Sequence, residues 1–324
     1  MKAVFVGDPH ATWAELEDCW GLIRCVEAAI NHFNPEYVVL LGDLYHNHQT
    51  VDLEVQDFWF KALDTLKSKA KIVIITGNHD RPNNAASSGN ALHAHFSQAT
   101  VVVDNPVDIG HVRFIPYQYE EERFVELAGD ADVVVCHQTF VGAVFDNGVT
   151  VQHGAFDQSK IPAKTIISGH IHTPMELGND RQKLFYVGAP RWRTVSCANT
   201  TRSLMLWDNG VVKYWPTANF CKPIYHFEDT EVSPLDVEFN PKAKYVIDLK
   251  GSPAWIESRK SLYRFARVRE YPTSRKVVLK ESLGIGLAMR TWAEKYVPQY
   301  QTPKKAILER FNERCPQFRI SLEP

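Results

Sequence analysis

No C-x-x-C pair occurs in this chain, and its six cysteines (Cys19, Cys25, Cys136, Cys197, Cys221, Cys315) are scattered. That pattern argues against a disulfide framework and for buried thiols in a reducing compartment. Missing too is any apolar run long enough to span a bilayer, and the N-terminal MKAVFVGDPH reaches a Gly-Asp too soon for the apolar stretch of a signal peptide. No membrane association and a cytoplasmic location are expected. Neither charge is in excess: a formal net charge of −2 excludes coating nucleic acid by bulk positive charge, so any contact with DNA has to be local. Internal repeats and low-complexity tracts are also lacking. At 324 residues the chain exceeds the usual size of one compact core, which predicts a large catalytic domain with something smaller beside it.

What the chain does contain is a recurring unit. Short β-branched runs (KAVFVGD, YVVLLGD, KIVIITGNHD, ADVVVCHQ, KTIISGHIH) alternate, in the first part, with helix-length amphipathic stretches at 14–32 and 51–68. Such runs read as buried strands of an α/β sheet. Each ends in a polar cluster: Gly7-Asp8, Gly42-Asp43, Gly77-Asn78, Cys136-His137 and Gly169-His170. Ligands of layered α/β folds bind at the carboxyl ends of strands, so five such clusters can share one pocket. Further on, KLFYVGAP and SLMLWDNGVVKYWP read as a closing hairpin, and residues 244–271 as strand, helix, strand. Residues 281–297 and 303–314 read as two helices broken by Pro298 and Pro303.

The chemistry-bearing set is Asp8-x-His10, Asp43, Asn78-His79-Asp80, His137 and His170-x-His172. Carboxylate, amide oxygen and imidazole together suit hard or borderline divalent cations such as manganese, with no thiolate needed. A lone Gly-Asp or a lone His is more often a cap or a turn residue. Five clusters, all at strand ends and including GNHD and GHIH, point instead to a two-metal site, in which Asp43 is the choice for the carboxylate shared by both ions.

In order and spacing, GDPH, GDLYH, GNHD, His137 and GHIH resemble the motifs of the calcineurin-like metallophosphoesterase superfamily, across residues 7–172. The resemblance implies a four-layer α/β sandwich, two β-sheets flanked by helices, with a dinuclear site at one sheet edge. It implies Asp8, His10 and His172 on one ion, Asn78, His137 and His170 on the other, and Asp43 between them, the ions being Mn2+ or, alternatively, Mg2+. It also implies that His79 donates a proton to the leaving oxygen and that Asp80 orients it, a task for which an imidazole is suited near neutral pH.

Within the superfamily, GDLYH with His46, GNHD followed by Arg81-Pro82, and GHIHTP resemble DNA double-strand-break repair nucleases of the SbcD type, bacterial or phage-encoded. What this implies is a metal-dependent exonuclease or endonuclease, acting through a metal-activated water as a homodimer with an SbcC-like SMC-family ATPase. The corresponding division is a nuclease domain at 1–220, a small α/β DNA-capping domain at 221–278 and a helical ATPase-binding segment at 279–324. Segment 259–280 holds eight basic residues, among them Arg264, Arg267 and Arg269, against the single acid Glu270, a local phosphate grip or an ordinary solvated face. Arg191 and Arg193, around Trp192, are placed to contact a bound strand, or equally to form a loop ion pair over a core tryptophan. In the tail, Ile285, Met289, Trp292 and Tyr296 fall at i, i+4, i+7 and i+11, an apolar stripe for a partner groove or for the chain's own domain. The alternatives to a nuclease are a phosphatase or cyclic-nucleotide phosphodiesterase, and a scaffold without catalysis.

Overall fold

The computed structural model describes residues 1–82 and 89–273. The tail residues Ile285, Met289, Trp292 and Tyr296, and the segment 279–324 that carries them, lie outside the described residues.

Two six-stranded sheets form the body of the first of two compact units, which comprises residues 1–228, 235–248 and 263–269. The first sheet has the order β12-β11-β1-β2-β3-β4. Its strands are β1 (Lys2–Val6), β2 (Tyr37–Leu40), β3 (Lys71–Ile75), β4 (Val101–Val103), β11 (Ser203–Asp208) and β12 (Val211–Pro216). β1 to β4 run parallel, and β11 closes the sheet antiparallel to β1. The second sheet, of order β5-β6-β7-β8-β10-β9, is built from β5 (Val107–Ile109), β6 (Val112–Ile115), β7 (Val133–His137), β8 (Thr165–Gly169), β9 (Met175–Gly178) and β10 (Lys183–Tyr186). Its four central strands are parallel, with antiparallel strands at both edges.

Alternation along the strands explains the layering. Ala3, Phe5, Val39, Leu41, Val73 and Ile75 point from the first sheet onto Phe114, Val135 and Ile167 of the second. Val4, Val6, Val38, Leu40, Ile72 and Ile74 point the other way, onto helices α1 (Leu16–Phe33) and α2 (Leu53–Lys67). A strand buried on both faces needs apolar residues at every position, hence the unbroken runs. The outer face of the second sheet, with Val134, Cys136 and Ile166, is covered by Phe124 and Ala128 of α3 (Glu121–Ala128) and by Phe140 and Ala143. Helix, sheet, sheet, helix: the expected four-layer α/β sandwich is what the chain forms.

Local signals start and stop the helices. Asp52 caps α2 by accepting from the Glu54 amide at 3.1 Å, and α1 ends on Asn34 in the left-handed region, φ 48°, its amide bonded to Ile30 O. The apolar face of α1, including Leu22, Val26 and Ala29, is packed on its own sheet. SLMLWDNGVVKYWP is the β11–β12 hairpin, turned by Asn209-Gly210 at φ 47° and 99° as the right-handed twist requires. KLFYVGAP, expected to share that hairpin, is instead β10 in the other sheet, parallel to β8.

A third sheet, of order β13-β14-β15, has three strands: β13 (Ile224–Thr230), β14 (Lys244–Gly251) and β15 (Arg267–Pro272). Helix α4 (Pro253–Lys260), between β14 and β15, gives the expected strand, helix, strand order. Of the described residues, the second unit takes 229–234, 249–262 and 270–273. In it Ser252 caps α4 with Pro253 in the first turn, and Arg259 pairs with Asp229 at 2.8 Å.

Candidate metal centre

Parallel strands put all their carboxyl ends at one edge, and three strands of one sheet meet two of the other there. Asp8 and His10 follow β1, Asp43 follows β2, Asn78 follows β3, His137 ends β7, and His170 and His172 follow β8. Asp8, His10, Asp43, Asn78 and His137 are buried, the last fully.

The side chains converge in two groups. In one, His10 Nε2 lies 2.9 Å from His172 Nε2 and 3.5 Å from Asp43 Oδ2. In the other, His137 Nε2 lies 3.1 Å from Asn78 Oδ1, 3.1 Å from His170 Nδ1 and 3.4 Å from the same Asp43 Oδ2. A single carboxylate oxygen thus faces both groups. Asp8 accepts from the His170 amide through Oδ1 at 2.8 Å, while its Oδ2 is buried with no hydrogen-bond partner.

Such a set fits divalent cations for a physical reason. Neutral imidazole nitrogens, carboxylates and an amide oxygen are all acceptors, and packed at these distances they repel unless positive charge sits among them. Left to protons alone, the cluster makes an ion pair. Burial works against ionisation of both Asp43 and His137. Even so, the imidazoles hold Asp43 well below the usual carboxylate range, and Asp43 and Asp8 push His137 up to about 9. A cation answers the same demand without protonating a ligand. The Leu41 carbonyl lies 2.7 Å from His137 Nδ1, placed to accept its N–H, so that with a cation in place of the second proton Nε2 is the lone pair facing the centre.

The backbone bends to make this possible. Of the non-glycine described residues with positive φ, three are asparagines, which tolerate it, and the other three are His10, Asp43 and His170, at 44°, 52° and 73°. Each costs on the order of 1–3 kcal/mol, and such strain concentrates where side chains must be aimed. Close approach explains the neighbouring glycines: a Cβ on Gly77 would sit 2.2 Å from Asp43 Oδ1, and one on Gly42, itself at φ 102°, would sit 2.7 Å from His137 Nδ1.

His79 stands beside the ligands in an open cleft of about 410 Å³ that Asp43, His170 and His172 also line. Its amide donates to Asp43 Oδ1 at 2.9 Å, and the His46 carbonyl lies 2.7 Å from its Nδ1. Its ring stacks on His48 with centroids 3.9 Å apart and meets His10 edge-on at 4.7 Å. The imidazole nitrogens of His10, His46 and His79 also come within 4.8 Å of one another. Burial moves the His79 pKa down, opposed by the Asp43 carboxylate.

Asp80 corrects an expectation. It does not orient the His79 ring; its two oxygens accept from the amides of Asp43, Leu44, Tyr45 and Gly77 at 2.8 to 3.4 Å. The proton on His79 Nδ1 is held by the His46 carbonyl instead.

The arginines expected to meet DNA divide. Arg191 is 1% exposed, its guanidinium bonded to Asp18 and to the carbonyls of Pro9 and His10, so it anchors the strand-end loop that carries His10 and cannot reach a phosphate. Trp192 is core, and Arg193 lies 3.6 Å from Glu15. Arg269 forms a bidentate pair with Asp248 at 2.6 and 2.7 Å. Lys260 pairs with Glu270 at 3.0 Å. Among the described residues of the segment, Arg259, Lys260 and Arg269 are thus paired with Asp229, Glu270 and Asp248, while Arg264 and Arg267 are exposed.

Three residues at the centre carry no motif signal. His48 backs His79 and bridges toward the carbonyls of Asn78 and Arg81. Asp146 and Arg202 flank His172.

A family model described as calcineurin-like phosphoesterase matches residues 1–174. The 078R phosphoesterase candidate of Invertebrate iridescent virus 3 is 26% identical over 189 residues, covering 53% of this chain and 53% of that protein. The chain therefore spans about half the length of this curated relative. Among solved structures, an archaeal phosphodiesterase shares 16% identity over 67% of this chain and 99% of its own, with a TM-score of 0.37. The phosphoesterase YfcE of E. coli shares 13% over 68% and 95%, also with a TM-score of 0.37. Neither likeness, at such scores, bears on what this chain does.

Proposed function

Because the chain belongs to the calcineurin-like phosphoesterase family, whose members hydrolyse phosphoesters with divalent metals, we propose that it is a DNA nuclease cleaving phosphodiester bonds at a dinuclear centre. Asp8, His10 and His172 would hold one cation and Asn78, His137 and His170 the other, with Asp43 facing both groups. Bound cations, manganese in first place and magnesium in second, would supply Lewis-acid stabilisation of charge on the phosphate oxygens and a nucleophile at neutral pH.

The observation that carries the reading is His79, which shares the cleft with Asp43, His170 and His172 and has its Nδ1 proton fixed on a carbonyl. A sugar alkoxide is a poor leaving group and needs a proton as its bond to phosphorus breaks. An imidazole whose Nδ1–H is committed to a carbonyl can deliver that proton only from Nε2, and only as the imidazolium. The ring has to bind a second proton before the bond to phosphorus breaks, against the burial that moves its pKa down and with the Asp43 carboxylate favouring it. Ring stacking on His48 restricts its rotation, so the donor is already oriented when the diester arrives.

Arg264 and Arg267 supply the exposed basic contacts of the nuclease reading. An SbcC-like ATPase bound through 279–324 and a homodimer belong to the same proposal. The ion pairs that offset Lys260 and Arg269 favour a second reading, a phosphodiesterase acting on small diesters, because they remove part of the expected DNA grip.

The test is hydrolysis of linear double-stranded and single-stranded DNA in Mn2+ and in Mg2+ by wild type and Asp43→Ala. Metal-dependent cleavage abolished in the variant supports the nuclease. Turnover of a small diester with no cleavage of any DNA, even at low salt, replaces it with the second reading.

A further inference from the structure

Asp146 sits in the loop after β7, on the wall of the cleft, with its side chain 16% exposed. An acid there is unexpected, since a carboxylate facing the path of an anionic substrate repels it. Its surroundings say what it does instead. Oδ1 accepts from Thr173 Oγ1 at 3.0 Å and from Arg202 at 2.9 Å. Arg202 is buried, 2% exposed, and its other terminal nitrogen donates to the carbonyl of His172. One arginine therefore ties the backbone of His172 to the carboxylate that flanks its ring. Oδ2, free of those two bonds, lies 3.8 Å from His172 Nδ1, while His172 Nε2 points the opposite way, to His10 Nε2 at 2.9 Å.

We propose that Asp146, held by Arg202, is the positioning residue of His172: it keeps the ring proton on Nδ1 so that Nε2 presents its lone pair to the metal centre. This rests on reading the cluster as a metal centre. His137 offers the parallel at closer range: the Leu41 carbonyl lies 2.7 Å from its Nδ1, where Asp146 Oδ2 stands 3.8 Å from that of His172 and has to close by about 1 Å to make the same bond. For His137 the orienting acceptor is backbone; for His172, whose segment leaves the sheet after β8, the chain uses a side chain anchored 30 residues away by Arg202. Loss of such orienting partners weakens metal binding by about 10- to 100-fold. The charge of Asp146 is offset by the Arg202 guanidinium at 2.9 Å, which relieves the repulsion of substrate.

Asp146→Asn separates this from a purely structural role. The amide oxygen still accepts from Arg202 and Thr173, but the NH2 group in place of Oδ2 cannot accept a ring proton. Titration calorimetry with Mn2+ alone should show one of two equivalents weakened about 10- to 100-fold in the variant and the other unchanged, a selectivity that the lower melting temperature expected when buried Arg202 loses its charged partner would not by itself produce. Two equivalents bound with wild-type affinities would reduce Asp146 to a loop strut and overturn the proposal. Failure of the wild type to take up Mn2+ would overturn the metal reading itself. Ring nitrogen-15 shifts of His172 in the metal-free wild type give a check that needs no variant: the Nδ1–H tautomer is expected, and a predominant Nε2–H tautomer contradicts the assignment.

Discussion

The carboxylate of Asp80 accepts the amide of Asp43 at 2.8 Å, so the residue facing both metal-binding groups is held in its strained conformation by the next carboxylate along from His79. With Leu44, Tyr45 and Gly77 also donating to it, Asp80 joins the loop after β2 to the loop after β3. Charged hydrogen bonds of this kind contribute about 1.5–3 kcal/mol each. Asp80→Ala should therefore lower stability by several kcal/mol in urea denaturation and weaken metal uptake together, whereas a residue that only oriented His79 would leave both unchanged.

Gly77→Ala is expected to act on function and on stability together. Its Cβ would sit 2.2 Å from Asp43 Oδ1 and 2.6 Å from the Asp43 backbone nitrogen, so both the side chain and the loop after β2 have to move. A displacement near 1 Å at a reacting centre costs on the order of 100-fold in rate. Turnover should fall by that order and the denaturation midpoint in metal-free buffer should fall with it; an unchanged midpoint would show that the loop yields without strain.

His95 gives the fold a pH dependence of its own. It is fully buried, 2.7 Å from the Tyr45 hydroxyl, and burial pushes its pKa down to about 4 against an ordinary 6.5. The unfolded chain then binds more protons than the folded one between those values, so stability is full above pH 6.5 and falls as pH drops toward 4. The loss at the lower end is on the order of 3 kcal/mol. His95→Gln should flatten that limb of the curve measured by urea unfolding at stepped pH, and an unchanged slope would assign it to other groups.

Arg264 and Arg267 should each account for about one phosphate contact. Replacing either by Ala should reduce the slope of log affinity for DNA against log salt by about 1, with stability unchanged. Arg269→Ala, by contrast, leaves Asp248, itself 4% exposed, without its bidentate partner and should show first as a loss of stability. Equal salt slopes in all three variants would remove the basic segment from the DNA-binding surface.

The sheets and the convergence of the motif residues were legible in the sequence for the same reason: strands buried on both faces are unbroken apolar runs, and their ends carry the motif residues. GNHD and GHIH announce themselves because a closely packed glycine and candidate ligands occupy consecutive positions, with left-handed backbone at His170 in the second. Residues defined by long-range contact announce nothing. Arg191 beside Trp192 reads locally as an exposed pair, and only the approach of Asp18 from α1, 173 residues away, buries it. Asp146 and Arg202 lie 56 residues apart with no spacing that links them. Asp80 is in plain view within GNHD, but which groups its oxygens accept depends on how two loops meet. The short edge strands β5 and β9 lacked the length and apolar content that mark the central ones.

The most direct test of His79 as proton donor compares two leaving groups in one pair of enzymes. Wild type and His79→Ala are assayed in Mn2+ on single-stranded DNA, whose sugar alkoxide needs a proton, and on bis-p-nitrophenyl phosphate, whose phenolate leaves without one. A loss of about 10²- to 10⁴-fold on DNA with a much smaller loss on the aryl diester is the expected result. Equal losses on both substrates, at unchanged metal content, would contradict proton donation by His79.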